Sequence, residues 1–405
     1  MKLTMHTATS EAKSPKLAII GYVFFTFLGY LCIGLPLAVI PMFVHNTLGY
    51  TEIIAGVVIS LQYLATFMIR GYSGKIVDTQ GPKRAVLLSM GSFVVSGLLL
   101  FLALYLRYNP LLSISVLALS RLLTGCAEGM IGASPINWAM MVIGREHTAT
   151  AISYNGIASY GALALGAPIG VWIASSMDIA YIGLVSALIG AAGYTLAKTK
   201  VAVHPPQGST KQISFWKVLG IVAPFGAALG LAGIGFGGIS NFITLYYDHF
   251  QWSHAAYCLS AFSVLFVLGR FIFADAIGRF GGKNVALICL IVEVLGLLLL
   301  FSADQPLIAL LGAAVTGIGF SLVFPALGVE AVKRAPIASS GAALAAYGLF
   351  IDISLGVTGP FAGTVIKLFG MPYLFAFCAL MVFIGLLIVW RLRKQSSSKA
   401  EVEKA

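Results

Sequence analysis

The chain has 405 residues, 59% of them hydrophobic and 10% charged, with a mean hydropathy of +0.96. A water-soluble domain is nearer a quarter charged, so there is too little polar surface here to dissolve a globule. The formal net charge of +11 suggests either a nucleic-acid footprint or a membrane topology signal, and the positions of the basic residues separate the two.

A membrane-crossing helix needs about 20 mostly apolar residues. Twelve such runs follow one another: Leu17–Val44, Ile53–Ile69, Ala85–Leu106, Leu111–Ile143, Thr148–Met177, Ile179–Ala197, Val218–Tyr247, Ala255–Phe273, Val285–Phe301, Pro306–Gly328, Ala338–Ile366 and Met371–Trp390. The alternating strands of a β-barrel would not give such long unbroken runs. The first run is too long for a signal-peptide core and is expected to remain as helix 1. With the N-terminus in the cytoplasm, 22 Lys and Arg fall in cytoplasmic segments and 2 (Arg107, Lys367) in outer loops, with Arg121 inside a helix. This is the positive-inside pattern. It predicts an inner-membrane, multi-pass protein with both termini cytoplasmic, and no nucleic-acid partner.

The most polar internal stretch, residues 198–217, has six runs on either side and reads as a cytoplasmic linker. The predicted layout is a cytoplasmic N-terminus (1–16), a six-helix bundle (17–197), the linker, a second bundle (218–390) and a cytoplasmic tail (391–405). The halves look like repeats. Arg70, Gly81 and Lys83 match Arg270, Gly281 and Lys283 at an offset of 200; Thr124-Gly125, Gly156 and Pro168 match Thr316-Gly317, Gly348 and Pro360 at 192. Duplicated bundles place a substrate site near the midplane between the halves.

The five cysteines fall inside predicted helices at unrelated spacings and read as small apolar residues. The six histidines fall outside the predicted helices, which argues against a metal cage in the membrane. No cofactor is expected. No Gly-x-x-x-x-Gly-Lys-Ser/Thr motif occurs, so ATP is not expected as the motive force.

Four ionisable residues lie well inside the runs: Arg121, Glu128, Glu293 and Asp352. Such groups cost at least about 2.5–3.5 kcal/mol at mid-membrane and usually line a cavity or an ion path. Arg121 and Glu128 are seven apart, hence on one stripe but ~10 Å apart along the axis. Asp352 lies ~20 Å into its helix, near the midplane. Glu128 or Asp352 is the expected proton-coupling acid, with Arg121 as a substrate-binding or acid-tuning cation; the competing reading is a polar pair that fixes helix packing. For Glu293 the structural reading is preferred. Tyr30, Gln62, Asn155, Tyr160 and Asn241 are candidate pocket-lining residues. Helix 5 (Gly156, Gly161, Gly166, Pro168, Gly170) and helix 11 (Gly348, Gly356, Gly359, Pro360, Gly363) combine close-packing glycines with a helix-bending proline.

The loop after helix 2 reads Gly74-Lys-Ile-Val-Asp78-Thr-Gln-Gly81-Pro-Lys83-Arg84. It resembles the loop signature of the major facilitator superfamily, and Arg121-x-x-x-Gly125 resembles that family's helix-4 signature. The helix-5 glycines with Ala167-Pro168 are similar to the antiporter motif of its drug-efflux members, which have Gly-Pro there. The resemblance implies an all-α membrane fold of twelve helices in two pseudo-symmetric bundles, with helix 4 lining the cavity, helix 9 peripheral and Asp78 helping to close the inner gate. In the second half Gly278 replaces that aspartate, and Asp275 and Arg279, four apart, are expected to pair on the helix instead.

The function expected is a secondary transporter, not an enzyme: proton-coupled efflux of a sugar, metabolite or drug by alternating access, by a monomer. The alternatives are a proton symporter or facilitator importing a small polar solute and, remotely, a non-transporting receptor or an intramembrane enzyme.

Overall fold

The computed structural model describes residues 15–144, 148–203, 215–273, 275–334 and 340–402. The N-terminus and the middle of the 198–217 linker lie outside these. The first span is α1 (Pro15–Leu37), followed by the short α2 (Ile40–Met42) and a π-helical turn at Phe43–Thr47. The second and third are α3 (Glu52–Gln80) and α4 (Pro82–Tyr105). The fourth is split into α5 (Pro110–Ile131) and α6 (Ser134–Ile143), and α7 (Thr148–Ser176) and α8 (Tyr181–Thr199) complete the first half. The second half has α9 (Phe215–His249), α10 (Ala256–Ile272), the short α11 (Ala276–Phe280) and α12 (Gly282–Phe301). A second split span follows, α13 (Pro306–Ser321) with α14 (Val323–Arg334), then α15 (Ser340–Phe369) and α16 (Tyr373–Val402).

Eleven of these spans are long and apolar enough to cross a membrane, and Ala256–Ile272 is a twelfth, shorter apolar helix of 17 residues. Seventeen residues is the lower limit for crossing, so the twelve-span count stands. One contiguous apolar cluster runs through both halves. Two of the six histidines are not outside helices: His45 sits in the π-turn and His249 ends α9.

The second span differs most from its hydropathy run. That run stops at Ile69, because Arg70 lowers the average, but the helix continues to Gln80. Thr51 caps its start by accepting from the Ile54 N–H, and Gly81, at φ +88°, ends it where a side-chain-bearing residue would be strained. Arg70 and Arg270 are therefore not loop cations; both lie within spans and turn into the bundle.

Prolines explain where helices break. A proline has no N–H for the carbonyl four residues earlier, and its ring crowds that carbonyl. α5 ends at Ile131, four before Pro135, and α13 ends at Ser321, four before Pro325. Side chains take carbonyls freed at each break: Asn155 Nδ2 donates to Gly132 O at 3.3 Å, and Arg270 Nε to Ser321 O at 3.1 Å. α7 stays continuous through Pro168. The carbonyl four residues earlier, Ala164 O, accepts instead from Ser260 Oγ of the other half at 2.7 Å.

The halves touch along α3 with α15 and α7 with α10. They are tightest at one end. A Cβ on Gly56 would collide with the Gly359 backbone and the reverse, and one on Gly363 would press on Ile53. At the same end Asn46 Nδ2 donates to Asp248 Oδ2 across the halves at 3.1 Å. Towards the other end a Cβ on Gly71 or Gly74 would meet nothing within 4 Å among the described residues. The halves are thus packed backbone to backbone at the Gly56 end, and nearer the other end they meet through Arg70 with Asp352 and Arg270 with Gly156.

Between α7 and α8, Asp178 accepts from the Ala180 N–H at 2.9 Å and pairs with Arg107 at 3.0 Å. The Ala180 N–H first, and then Arg107, hold its carboxyl below the usual aspartate range. A depressed carboxylate stabilises the fold above the ordinary aspartate range and ceases to as the pH falls through its folded value. Asp178→Asn should therefore lower stability at pH 7 by about 0.2–1 kcal/mol, the usual worth of an exposed pair. The difference should shrink as the pH is lowered below the ordinary aspartate range, as thermal unfolding curves taken across that range would show.

Candidate functional site

The loop signature grips its own half. Lys83 Nζ donates to the carbonyls of Lys198 (2.8 Å) and Lys200 (2.5 Å) at the C-terminal end of α8. Trp138 Nε1 donates to Val201 O at 3.1 Å, and Gly81 abuts the Val203 carbonyl. Gly74 and Arg84 are exposed, and the Asp78 side chain lies outside the described residues. In the second half, Lys283 pairs with Glu330 at 3.6 Å, and Arg279 with Asp275 at 3.7 Å on one helix face.

The buried charges form two linked groups. Arg121 and Glu128 do not meet each other but share a partner on the neighbouring span, Gln62. Arg121 Nη1 donates to Gln62 Oε1 at 3.0 Å, and Gln62 Nε2 donates to Glu128 Oε2 at 2.9 Å. Thr66 Oγ1 donates to the same Glu128 oxygen at 3.2 Å. The amide thus joins a guanidinium to a carboxylate ~10 Å up the same helix, as the seven-residue spacing requires. Gly125 permits this, since its backbone lies against the Gln62 carbonyl.

The second group was not apparent in the sequence. Arg70 of α3 forms an ion pair with Asp352 of α15, Nη2 to Oδ1 at 2.8 Å and Nε to Oδ2. One hydrogen bond and one ionic contact join them, and Asp352 is 5% exposed. Arg70 belongs to one half and Asp352 to the other. Glu128 is within electrostatic reach of both, and Tyr30 of Glu128, Arg70, Tyr160 and Asp352. Tyr63, also missed from sequence, neighbours Glu128, Arg121, Tyr160 and Asp352. The structure therefore gathers Tyr30, Gln62, Tyr160, Arg121, Glu128 and Asp352 into one region.

Asn155 stands slightly apart, accepting from Thr26 Oγ1 at 2.6 Å and capping the α5 break. Asn241 is buried on α9, accepts from Ser240 Oγ at 3.3 Å, and its amide nitrogen has no partner among the described residues. Glu293 is fully buried, with neither oxygen hydrogen-bonded among the described residues and Gly235 and Gly319 packed against it. The expected structural contact to a neighbouring helix is thus a packing contact, not a hydrogen bond. Gly166 and Gly170 pack on Gly34 and Leu35, and Gly359 on Gly56. Like α7 at Pro168, α15 runs unbroken through Pro360.

The repeat offsets hold in three dimensions. A Cβ on Gly125 would strike Gln62 O, and one on Gly317 would strike Phe262 O. Arg70 lies across from Gly348, and Arg270 across from Gly156. The chemistry at equivalent positions differs sharply. Gln62, Thr66 and Glu128 correspond to Phe262, Phe266 and Phe320, whose rings pack together with centroids 6.0–6.3 Å apart. Asp352 corresponds to Tyr160, which stacks on Phe266 at 3.7 Å, while Arg270 lies over that ring at 4.6 Å and meets no carboxylate among the described residues. One half carries the polar wall and the other an aromatic one.

The family model of the major facilitator superfamily matches residues 22–274 and 227–405. An uncharacterized MFS-type transporter of Pseudomonas aeruginosa (strain UCBPP-PA14) is 49% identical over 387 residues, 96% of each chain. One of Burkholderia mallei (strain SAVP1) is 46% identical over 375 residues, 93% of this chain and 92% of that one. Among solved structures, the nucleoside transporter NupG superposes with a TM-score of 0.73 at 15% identity, covering 92% of this chain and 99% of that one. The human organic anion transporter MFSD10 (TETRAN) does so with 0.70 at 14%, covering 93% and 100%. These last two share the fold. With its twelve spans, its loop and helix-4 signatures and its duplicated halves, the chain belongs to the major facilitator superfamily of membrane transporters.

Proposed function

We propose that this transporter exchanges protons for a small organic compound by alternating access, and that it works as an exporter. The observation that carries the reading is the Arg70–Asp352 pair, which ties α3 of one half to α15 of the other beside Glu128. With the pair formed, the halves are tied and the empty carrier is locked. A proton on Asp352, or a substrate compensating its charge, removes the attraction and lets the halves part at Gly56–Gly359. Motion then requires either proton or substrate, which is the condition for exchange. Glu128, within electrostatic reach of Arg70, would receive it when Asp352 is neutralised. Positive-inside counting assigns the Gly74 end to the cytoplasm of the cell's inner membrane, the side on which an exporter loads. The helix-5 glycine–proline pattern agrees with efflux.

The test is pH recording in proteoliposomes on adding candidate sugars, drugs and metabolites. Proton movement opposite to the solute supports exchange; movement in the same direction would make the protein a symporter. Glu128→Gln should cut proton-driven uptake by about tenfold or more, one lost charge-assisted interaction being worth roughly 1.5–3 kcal/mol, with no loss of folded protein on size-exclusion chromatography. Unchanged proton dependence in Glu128→Gln, Asp352→Asn and the double variant would remove the coupling assignment.

A further inference from the structure

Arg70 and Arg270 are repeat equivalents at the two seams between the halves, and the first has a carboxylate partner, Asp352. In the other seam, between α7 and α10, Tyr160 stands at the position equivalent to that acid. Arg270 Nε donates to Ser321 O at 3.1 Å, and the guanidinium lies over the Phe266 ring at 4.6 Å. Among the described residues Nη1 and Nη2 have no hydrogen-bond acceptor and the side chain has no carboxylate.

Arg270 is not sealed in. On α10, Phe262, Phe266 and Gly269 are buried, while Val264, Leu268 and Phe271 are exposed apolar residues that face lipid. At ~100° per residue, Arg270 falls on the side of the first three. Yet it is only half-buried, so its exposed part looks into the space between the halves and not at the bilayer. Across the seam is Gly156 of α7, where a Cβ would land on Nη1. One turn further along α7, half-buried Tyr160 stacks on Phe266.

A guanidinium within a span calls for a counter-charge. With Nε engaged, the two Nη groups form an end-on fork, the shape that a carboxylate fills with two parallel hydrogen bonds. The surfaces beside the fork are the rings of Tyr160 and Phe266, which favour a flat apolar body over a hydroxyl-rich one. We infer that the seam between α7 and α10 binds an arene carboxylate, its acid group on the Arg270 fork and its ring against Tyr160. The ligand supplies in the second half the carboxylate that Asp352 supplies in the first. The site lies apart from the Arg70–Asp352 pair, and the inference does not rest on proton exchange.

The test is equilibrium binding of tritiated 2-naphthoate to the full chain in phosphatidylcholine nanodiscs at neutral pH, with empty nanodiscs subtracted. Saturable binding of one molecule per chain is expected. 2-Naphthamide, which keeps the shape and loses the charge, should compete about tenfold less well or worse, the margin of one charge-assisted hydrogen bond. Acetate, lacking the ring, and chloride, lacking the planar acid group, should compete as poorly. Gly156→Ala puts a methyl where Nη1 lies and pushes the guanidinium aside without removing its charge. It should weaken binding by about tenfold or more. Arg270→Gln should abolish saturable binding, and Arg391→Gln, exposed on α16, should leave binding unchanged. Because Arg270→Gln also strips Ser321 O of its donor, Gly156→Ala decides should that variant fail to fold. No saturable binding, equal competition by 2-naphthamide, acetate or chloride, parent-like binding in either seam variant, or an equal loss in Arg391→Gln would overturn the inference.

Discussion

In proteoliposomes, Asp352→Asn is expected to abolish proton-driven accumulation while downhill exchange of substrate continues. Asparagine mimics the protonated acid: it keeps the size and loses the charge. The halves are then no longer locked when empty, and the carrier leaks. The substitution also strands Arg70, and removing one partner of a buried ion pair costs about 3–5 kcal/mol. Because the Arg70 side chain is 28% exposed and Glu128 is near, the lower end is expected. Arg70→Gln in the Asp352→Asn background should restore most of the thermal stability and none of the coupling. Recovery of stability together with coupling would show that the pair is merely structural.

Gly359→Val should block transport by a different route. The Gly359 and Gly56 backbones are in contact, and a side chain at either cannot be accommodated while that end is closed. Overpacking costs about 1–3 kcal/mol, enough to shift a two-state equilibrium by about 5- to 150-fold. Turnover should fall by a comparable factor with binding at the Gly74 end reduced, since the variant is held open at the Gly56 end. Gly359→Ala should show the same effect more weakly. Normal turnover in Gly359→Val would mean that this contact is not part of the transport cycle.

The fold was legible because it rests on hydropathy, and twelve apolar runs leave little choice in a bilayer. The repeats were legible from residues as few as Arg70/Arg270 and Gly125/Gly317. Arg70 itself was misread. Averaging hydropathy treats a charge as the end of a span, but a helix ends where its backbone must, here at Gly81. The breaks in the fourth and tenth spans are also written in the sequence, as Pro135 and Pro325, whereas α7 and α15 run unbroken through Pro168 and Pro360. Which prolines break a helix depends on whether a neighbour satisfies the freed carbonyl, and Ser260 does so for α7. The Gln62 bridge could not be read at all, because its register against Arg121 and Glu128 is set by packing of α3 on α5. Nor does periodicity within one half disclose that its polar positions have become phenylalanines in the other.

The claim on which the rest depends is that the charge state of Asp352 decides whether the halves may separate. It is tested most directly by pulsed-EPR distances between spin labels at Gly74→Cys and Lys333→Cys, one in each half, with the five native cysteines replaced. At neutral pH the parent should give one long distance. Acidification should add a shorter population, and Asp352→Asn should show that population at every pH. Identical distributions in parent and Asp352→Asn across the pH range would contradict the account.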